Sequence, residues 1–438
     1  MVLSLHTVNQ IDDIVKRAQA RCRTPSLIAA VVRDGMIAHV SAAGETPVPE
    51  RDLQYRIGSI TKTFTASLVL QLRDEGALSL DDRLQQHLPV KGLTGVRLRQ
   101  LLGMAGGLQR EPEGSWWERS AGPSLEELVA RVTDAKRAFP PYHRFHYSNL
   151  AYGLLGGVIE RVTGESWWNM VSTRLLGPLG MTRTTYQAQE PFARGYVVHP
   201  WLQITREEPR HDAGAMAPAG QLWSTVEDLA RWATVLAATE SHVLPEATMV
   251  EMFTPVIMAD PDTWSSGYGL GFELWRQGER VYVGHTGSMP GYLAALLAHR
   301  RSRTGVIAFA NSYVLAGSSI GELGLSIMDA VLAGEAEPPP ALWRPSDPPP
   351  PEIEPVCGRW WWMGIEHEIG WDATSSELII SAAGDRVWRF TREGVDRWRG
   401  RTGQQAGEVL LVARDDSGTP TAVDIATFIL TREPLPAG

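Results

Sequence analysis

A nearly uncharged stretch, Tyr55-Arg-Ile-Gly-Ser-Ile-Thr-Lys-Thr-Phe-Thr-Ala-Ser-Leu-Val-Leu-Gln-Leu72, is the segment around which the rest of this chain can be interpreted. Its spacing from Ser59 onward is helical, with Gly58 as a bend before it and Gly76 as a stop after it. After Arg56, the only charged residue in this stretch is Lys62. A helix that is uncharged nearly all round is typical of a buried helix, so we expect this one to lie inside the protein.

Ser59 and Lys62 are three residues apart and share one helix face, so the hydroxyl and the amine can meet near the first turn. Burial without an acid in reach lowers the pKa of a lysine, and a neutral amine can take a proton. Arginine cannot deprotonate, so the choice of lysine favours a base. The alternative is a snorkelling lysine beside a helix-capping serine. The chain has 41 Lys+Arg yet uses lysine only at Lys16, Lys62, Lys91 and Lys136.

Composition indicates a soluble globular protein of two or three domains. The chain has 438 residues, of which 43% are hydrophobic and 21% are charged. Its net charge is -9, its pI is near 5.7 and no lysine/arginine block occurs, so no nucleic-acid partner is expected. Cys22 and Cys357 lie near opposite ends of the chain without metal-type spacing and define no disulfide framework.

Targeting signals are not evident in the sequence. The first residues show no early basic patch, apolar h-region or small-residue cleavage site, which argues against export. The apolar runs are short pieces such as Tyr292 to Ala298, below the length of a membrane helix. We therefore expect a cytoplasmic protein without a membrane partner.

Residues 1–335 are predicted to form one α/β (α+β) catalytic region. Its sheet is expected to combine strands from the beginning and the end of these residues. A helix over residues 8–22 precedes the strand-like Leu27 to Val32 and then Asp34-Gly35, a strong hairpin signal. Helical and loop-rich sequence from about residue 80 to 214 is inserted before the second half of the unit. Capping signals and spacing predict helices at 97–102, 124–138, 149–163, 225–238 and 319–332, and short strands around Phe272, Val281, Leu296 and Val306.

Proline-rich sequence over residues 336–355 predicts an extended, semi-rigid linker to a second domain. Residues 356–438 change to short alternating segments separated by Gly and Asp, which predicts a small all-β, barrel-like domain. We expect a structural or gating role over the active site for it, or an oligomer contact. Its tryptophans are expected in the barrel core, with ligand binding as the alternative: Trp360, Trp361, Trp362, Trp371, Trp388 and Trp398.

Tyr147 and Asn149 are candidates to complete the site. Both lie where a loop meets the start of the predicted helix at 149–163, so a phenol and a carboxamide project from one loop-to-helix junction. A tyrosine beside a lysine cation ionises more easily and can act as acid or base. Taken singly, a packed tyrosine is the ordinary alternative.

His285-Thr286-Gly287 is a second candidate and lies inside strand-like sequence. Glycine there lets a substrate approach the backbone, and the N–H of Ser288 can stabilise an oxyanion. Taken alone, an ordinary half-buried histidine is the alternative.

Three other patterns are interpreted as structural. Gly317-Ser318-Ser319-Ile320-Gly321 matches the G-x-S-x-G nucleophile elbow, but no strand runs directly into it, so we expect a helix N-terminus. His143 with His146, and Glu366-His367-Glu368, lack a complete zinc ligand set. Neither a metal nor another cofactor is predicted.

The motifs Ser59-x-x-Lys62, Tyr147-x-Asn149 and His285-Thr286-Gly287, in this order and at wide spacing, resemble the serine β-lactamase and penicillin-binding-protein superfamily. The resemblance is closest to its class C-like branch and covers roughly residues 8 to 335. It implies an antiparallel sheet flanked by helices, an inserted all-helical region and a site between the two.

The resemblance also implies a role for each residue. Ser59 would be the acylated nucleophile, and Lys62 and Tyr147 the acid/base pair. The backbone N–H groups of Ser59 and Ser288 would form the oxyanion hole. The implied substrate-binding positions are Asn149, on the acyl side, and His285, Thr286 and Gly287.

One departure bears on the substrate. His285 stands where β-lactamases of this branch usually carry lysine, and the likeness there is closer to DD-carboxypeptidases, D-aminopeptidases and esterases. Histidine is neutral for much of the time near pH 7, so it grips a substrate carboxylate less firmly than lysine. Together with the missing export signal, this weakens the antibiotic and cell-wall interpretations.

The leading hypothesis is a serine hydrolase that cleaves small acyl esters through an acyl-enzyme on Ser59. The alternatives keep the chemistry and change the substrate to an amide or a lactam: a D-amino-acid peptidase or amidase, DD-carboxypeptidase-like, or a weak β-lactamase. A non-catalytic penicillin-binding sensor is disfavoured because the motif set is complete. Whether the chain forms a homo-oligomer is left open.

Overall fold

A computed structural model describes residues 3–44, 49–114, 120–238, 241–313, 319–335, 345, 347–382 and 386–434. The chain divides into two compact units, Met1–Pro338 and Pro339–Gly438. Much of the predicted linker, residues 336–344 and 346, lies outside the described residues. Among the described residues, no helix is long and apolar enough to cross a membrane.

The first unit combines helices and antiparallel strands along the whole of its length. Its helices are α1 (Leu5–Cys22), α2 (Thr61–Asp74), α3 (Leu98–Leu102), α4 (Leu125–Arg131), α5 (Asn149–Thr163), α6 (Trp167–Val171), α7 (Gly177–Leu179), α8 (Ala217–Gly220), α9 (Val226–Ala237), α10 (Glu246–Met252) and α11 (Ile320–Gly334). Its strands are β1 (Ser26–Arg33), β2 (Met36–Gly44), β3 (Tyr55–Arg56), β4 (Tyr196–Val198), β5 (Thr205–Glu207), β6 (Trp223–Ser224), β7 (Ile257–Met258), β8 (Ser266–Tyr268), β9 (Glu273–Gln277), β10 (Arg280–Met289), β11 (Tyr292–His299) and β12 (Thr304–Ala310).

An eight-stranded antiparallel sheet in the order β2-β1-β12-β11-β10-β9-β8-β7 is the framework of this unit. Strand β1 from the beginning of the chain pairs with β12 from the end of the unit, with Ile28 opposite Phe309. Asp34 and Gly35 join β1 to β2 with φ values of 49° and 80°, as a type I′ hairpin turn requires. The prediction of a unit built from both ends around an inserted helical region is confirmed.

Helices cover both faces of the sheet. On one face α1 and α11 pack over a buried cluster that includes Val15 and Ile327. On the other face α9 and the inserted helical region build a larger core that includes Phe64 and Trp232. Helix α2 contacts both β10 and α5, so it lies between the sheet and the helical region.

Residues 58–74 form the buried helix expected from their lack of charge. A 3-10 turn over Gly58–Ile60 leads into α2, and every side chain from Thr61 to Leu70 is buried. The buried hydroxyls of this helix have partners: Thr63 Oγ1 accepts a hydrogen bond from Trp232 Nε1 at 2.9 Å, and Ser67 Oγ donates to Thr63 O at 2.7 Å.

The helix predicted at 124–138 is wrong in length. Ser124 and Glu127 form the expected capping box, but α4 ends at Arg131. The chain then turns because Asp134 Oδ1 accepts a hydrogen bond from Leu93 N at 2.8 Å, a long-range contact that spacing cannot show. The helical region also holds a two-stranded ribbon, β4–β5, so it is not helical throughout.

The second unit is a closed antiparallel barrel. Its core is apolar and contains Trp360 and Trp398, which are 0% and 2% exposed, as predicted for barrel-core tryptophans. Trp362, Trp371 and Trp388 are half-buried and pack against that core. Trp361 is also half-buried but is not part of this cluster, so its predicted place in the barrel core is wrong. The barrel strands are β13 (Gly358–Trp362), β14 (Ile365–Asp372), β15 (Glu377–Ala382), β16 (Arg386–Arg392), β17 (Arg397–Gly400), β18 (Val409–Arg414), β19 (Pro420–Ile425) and β20 (Phe428–Thr431).

Candidate active site

Two glycines let the turn before α2 touch strand β10. Gly58 has φ +52°, and a Cβ on it would lie 2.5 Å from Ser288 N. A Cβ on Gly287 would lie 1.9 Å from Ile57 O and 3.1 Å from Ser59 N. The amides of Ser59 and Ser288 therefore lie on backbone segments in direct contact, which supports their predicted pairing as an oxyanion hole.

The Lys62 amine lies at the centre of the site with its side chain fully buried. Its Nζ is 2.9 Å from Ser59 Oγ, 2.7 Å from Asn149 Oδ1 and 2.7 Å from Ala219 O. A neutral amine has two N–H groups and one lone pair. Because the two carbonyl oxygens only accept hydrogen bonds, they take the N–H groups and leave the lone pair for the Ser59 hydroxyl.

Burial lowers the pKa of Lys62 from 10.5 to about 7, while Glu111 and Glu273 raise it and Arg110 lowers it. The predicted direction is therefore found, but the premise that no acid is in reach is wrong. The snorkelling alternative does not describe this side chain, because it is 0% exposed and its amine bonds Ser59 directly.

Tyr147 joins the site as predicted, but in a different protonation state. Lys62 Nζ lies 4.9 Å from its ring centroid, and its hydroxyl hydrogen-bonds Ser59. Burial, reinforced by Glu273, holds the pKa of Tyr147 well above its usual range. The expectation that it ionises more easily is therefore wrong, and the phenol is a neutral proton donor at rest.

The Asn149 carboxamide is held on both sides. Its Oδ1 accepts from Lys62, and its Nδ2 donates to Glu111 Oε1 at 2.6 Å. Arg110 stacks 5.6 Å above the Tyr147 ring, and its Nε is 3.3 Å from Glu111 Oε1. Asn149 thus orients the lysine in this structure, and its predicted contact with the acyl side of a substrate stays a prediction.

His285 lies beneath the site with no exposed surface. Its Nδ1–H donates to the Thr286 carbonyl, so Nε2 accepts from Tyr268 OH at 3.0 Å. Burial, with Lys62 nearby, lowers the pKa of His285 to about 3, so the ring is neutral. A direct contact between His285 and a substrate, as the resemblance implies, stays a prediction. The observed contacts of His285 are with Thr286 and Tyr268 inside the protein.

Glu273 is the main acid that sequence reasoning missed. It begins β9 opposite Gly284, and its carboxylate accepts from Thr286 N at 3.0 Å and from Thr286 Oγ1 at 3.1 Å. Its side chain is 22% exposed, and burial raises its pKa to about 7. In the sequence, Glu273 is only an acid at the start of the strand that precedes the His-Thr-Gly motif. No spacing rule distinguishes such an acid from others.

A cleft of about 780 Å³ opens over these groups. Such a volume suits a small organic substrate. The sequence-predicted residues Ser59, Tyr147, Asn149, Thr286, Gly287 and Ser288 line it, together with Glu273 and Arg110.

A backbone segment, residues 217–222, is bonded to α2 along its length. Thr65 Oγ1 donates to Pro218 O at 2.8 Å, and Lys62 donates to Ala219 O. Leu222 N donates to Thr61 Oγ1 at 3.2 Å. The nucleophile helix and this segment therefore form one hydrogen-bonded assembly.

The patterns set aside as structural have structural roles among the described residues. Ser319 caps α11 by accepting from Glu322 N at 3.1 Å, which confirms a helix N-terminus, while residues 317 and 318 lie outside the described ones. His143 stacks on Phe139, and His146 contacts the same ring edge-on. His367 is buried and bonded to Ile365 O.

Comparison with known proteins identifies the fold. The profile of the family described as Beta-lactamase matches residues 11–321, and a domain of unknown function, DUF7586, matches residues 349–432. A penicillin-binding protein homologue from Pyrococcus abyssi, described as octameric, has a TM-score of 0.68 and 22% identity, covering 97% of this chain and 100% of its own.

Two further relatives are similar in sequence. A D-stereospecific amidohydrolase from Streptomyces sp. is 28% identical with a TM-score of 0.64, covering 75% of this chain and 99% of its own. Beta-lactamase-like protein 2 of Dictyostelium discoideum is 27% identical over 324 residues, 68% of this chain, and the match spans 58% of its own length. This chain therefore belongs to the Beta-lactamase family, within the superfamily of serine β-lactamases and penicillin-binding proteins, whose members are serine hydrolases.

Proposed function

We propose that this chain is a serine hydrolase that cleaves small acyl esters through an acyl-enzyme on Ser59. The observation that carries the proposal is the Lys62 amine, whose N–H groups are taken by two carbonyl oxygens while its nitrogen lies 2.9 Å from Ser59 Oγ. With a pKa of about 7, this amine is substantially neutral at physiological pH and can accept the serine proton.

Acylation begins when Ser59 Oγ attacks the ester carbonyl carbon and its proton passes to the Lys62 lone pair. The carbonyl oxygen becomes an oxyanion, for which the N–H groups of Ser59 and Ser288 are the proposed donors. Collapse of this intermediate breaks the bond to the alkoxy group. That oxygen takes a proton from the Tyr147 hydroxyl, which is replaced by the proton held on Lys62.

Deacylation repeats these steps with water as the nucleophile. Lys62, neutral again, takes a proton from the water as it attacks the acyl carbon. The bond from the acyl carbon to Ser59 Oγ then breaks, Lys62 returns its proton to Oγ, and the carboxylic acid leaves.

A chromogenic acetate ester tests the proposal. We expect a burst of nitrophenol followed by steady turnover, and an acetyl adduct on Ser59 by intact-mass spectrometry. Ser59→Ala removes the nucleophile and abolishes both signals. Absence of turnover with any short-chain ester would overturn the esterase proposal.

An amidase is the second candidate, favoured by the 28% identity to the D-stereospecific amidohydrolase. A larger kcat/KM on D-amino-acid amides than on matched esters would make it the better assignment. The DD-carboxypeptidase-like and weak β-lactamase alternatives are tested in the same panel with D-alanyl peptides and a chromogenic cephalosporin.

Two further expectations remain proposals. Self-association is supported by the octameric description of the Pyrococcus homologue, and light scattering in solution tests it. The predicted structural, gating or oligomer-contact role of the C-terminal barrel is tested by deleting residues 340–438. Unchanged folding, assembly state and substrate profile would contradict it.

A further inference from the structure

The edge of strand β10 faces the cleft beyond the point where its pairing with β9 ends. The last pair of that ladder is Gly284 opposite Glu273. From Thr286 to Ser288 the strand lines the cleft beside Ser59. A substrate bound at Ser59 therefore meets the backbone and side chain of Thr286 at one end of the cleft.

Glu273 occupies the hydrogen-bond donors at that end. Its carboxylate accepts both the backbone N–H of Thr286, at 3.0 Å, and the Thr286 hydroxyl, at 3.1 Å. A substrate carboxylate that reached Thr286 would need the same two donors and would lie beside a like charge. A hydrogen-bond donor or a cation would find a carboxylate already oriented by two bonds.

The neighbouring cations do not cancel this charge in the state that reacts. Arg110 is the basic side chain among the described cleft-lining residues, and it is paired with Glu111 at 3.3 Å. His285 Nδ1 is 3.6 Å from Glu273 Oε1, but its proton is donated to the Thr286 carbonyl and the buried ring is neutral. Lys62 must itself be neutral to accept the proton of Ser59.

We propose that Glu273 sets the substrate class: at its Thr286 end the cleft accepts a group that is cationic or donates hydrogen bonds, and rejects a carboxylate. This inference rests on the proposed acyl-enzyme function. It favours esters or amides that carry an ammonium group near the scissile bond over carboxylate-bearing substrates.

The selectivity depends on pH in a defined direction. The charged and titratable groups near Glu273 are Lys62, Tyr147, Tyr268 and His285. Both tyrosines have pKa values raised well above their usual range and stay neutral, as does the histidine. Burial raises the pKa of Glu273 to about 7, so its charge, and with it the discrimination, is present above that pH and is lost as the pH falls through it.

The test uses the full chain and two matched sets of substrates. Acetate esters of three meta-substituted phenols, bearing trimethylammonium, carboxamide or carboxylate, place the charge on the leaving group. Nitrophenyl esters of β-alanine, butyrate and succinate place it on the acyl group. Each kcat/KM is divided by the rate constant of the same ester with hydroxide, because the esters differ in intrinsic reactivity. In at least one set we expect this normalised kcat/KM for the cation to exceed that for the carboxylate by about 10–100-fold at pH 8.

Glu273→Gln keeps an acceptor for Thr286 and removes the charge, so the ratio falls to within about threefold of unity. Glu273→Asp retains the preference. Glu322→Gln is the matched control, because Glu322 lines the same cleft and glutamine preserves its acceptance from Ser319 N. An equal ratio in wild type and Glu273→Gln, an equal fall in Glu322→Gln, or a preference for the carboxylate would overturn the proposal.

A binding measurement separates this inference from the proposed function. Calorimetry on Ser59→Ala with the trimethylammonium and carboxylate phenols reads the charge preference without turnover. If no ester is hydrolysed but the cation binds more tightly and Glu273→Gln abolishes the difference, the hydrolase proposal fails and this one stands. If esters are hydrolysed but neither kcat/KM nor binding shows a charge preference, the hydrolase proposal stands and the role of Glu273 in substrate choice is wrong.

Discussion

The two units of this protein fill their cores differently. The first unit buries ionisable side chains at its centre: Lys62 and His285 are 0% exposed and Arg56 is 2% exposed. In the described part of the barrel, the buried core is apolar and aromatic, with His367 and Gln405 as its buried polar side chains. Both cores are packed, but the core of the first unit holds ionisable groups whose charged forms are more stable in water than in a protein interior.

The difference shows where this chain tolerates an unfavourable burial. Moving the Lys62 pKa from 10.5 to about 7 corresponds to several kcal/mol of disfavoured charge. The two barrel-core tryptophans, Trp360 and Trp398, carry no charge, so their burial gains the area of two large side chains without a charge to desolvate. Substitution of the buried lysine of the first core should therefore change chemistry, whereas substitutions in the barrel core should change stability.

Among substitutions of the buried ionisable side chains, the largest expected effect is on catalysis, from Lys62→Met. The thioether has a similar shape but cannot accept a proton, so kcat/KM for ester hydrolysis should fall by about 10²–10⁴-fold. The unfolding free energy should change by less than about 2 kcal/mol, because the lost hydrogen bonds are offset by removal of a buried amine.

Lys136→Met is the matched control for that substitution. Lys136 is also buried, 6% exposed, but it bonds Gln109 and does not line the cleft. Its activity should be that of the wild type. A large stability loss in Lys62→Met with little loss of rate would show that the first core is structural in the same sense as the second.

The largest expected effect on stability is in the barrel. Trp398→Ala removes a buried indole that packs against Trp371, with ring centroids 6.2 Å apart. We expect a loss of about 3–5 kcal/mol in the unfolding free energy of the barrel, measured by denaturant titration. Val395→Ala, at a side chain 70% exposed, should stay within about 0.5 kcal/mol of the wild type. Equal effects of the two substitutions would contradict a tightly packed barrel core.

Two glycine substitutions in the first unit separate the effect of a close backbone contact from that of backbone strain. Gly58 and Gly76 both have positive φ, +52° and +74°. Alanine at Gly58 would force its Cβ to within 2.5 Å of Ser288 N, whereas Gly76 has no atom within 4 Å of the added Cβ. Gly58→Ala should reduce kcat about 10²–10³-fold by disturbing an oxyanion donor.

Gly76→Ala carries the same kind of strain, about 1 kcal/mol, without the contact. Its rate per folded molecule should therefore be unchanged. If the two variants lost activity equally, the contact between the turn and β10 would not be what positions the donors.

The smallest effect is a pH shift. Because the neutral Lys62 amine is the proton acceptor, kcat/KM should rise about tenfold per pH unit below a midpoint near 7 and level off above it. Lys62 and Glu273 interact, so that midpoint belongs to the pair. Glu273→Gln removes a charge that raises the Lys62 pKa, so the midpoint should move to lower pH. A shift of the midpoint to higher pH would contradict the assignment of neutral Lys62 as the proton acceptor.

Much of the first unit could be predicted because its signals are local. The Asp34-Gly35 hairpin, the uncharged α2 and the glycine-ended α5 each depend on residues adjacent in sequence. The Ser-x-x-Lys pair was predictable for the same reason, since one helix turn brings the two side chains together.

The rest of the site depends on contacts between distant segments. Glu273 on β9 bonds Thr286 on the neighbouring strand β10, and Glu111 bonds Asn149 from a loop 38 residues earlier. The neutral state of Tyr147 follows from burial and from that same Glu273. No pattern in the sequence reports such burial, and so the predicted ionisation of the tyrosine was wrong.

The bonding of residues 217–222 to α2 has a consequence for dynamics. Thr61, Lys62 and Thr65 each bond a different residue of that segment, and Ile57 N donates to Leu222 O at 2.9 Å. Breaking one of these bonds exposes buried polar groups on both partners, so the segment and the helix must open together. Amide hydrogen exchange at Ile57 and Leu222 should therefore follow a single cooperative opening, with the nucleophile already assembled before a substrate arrives.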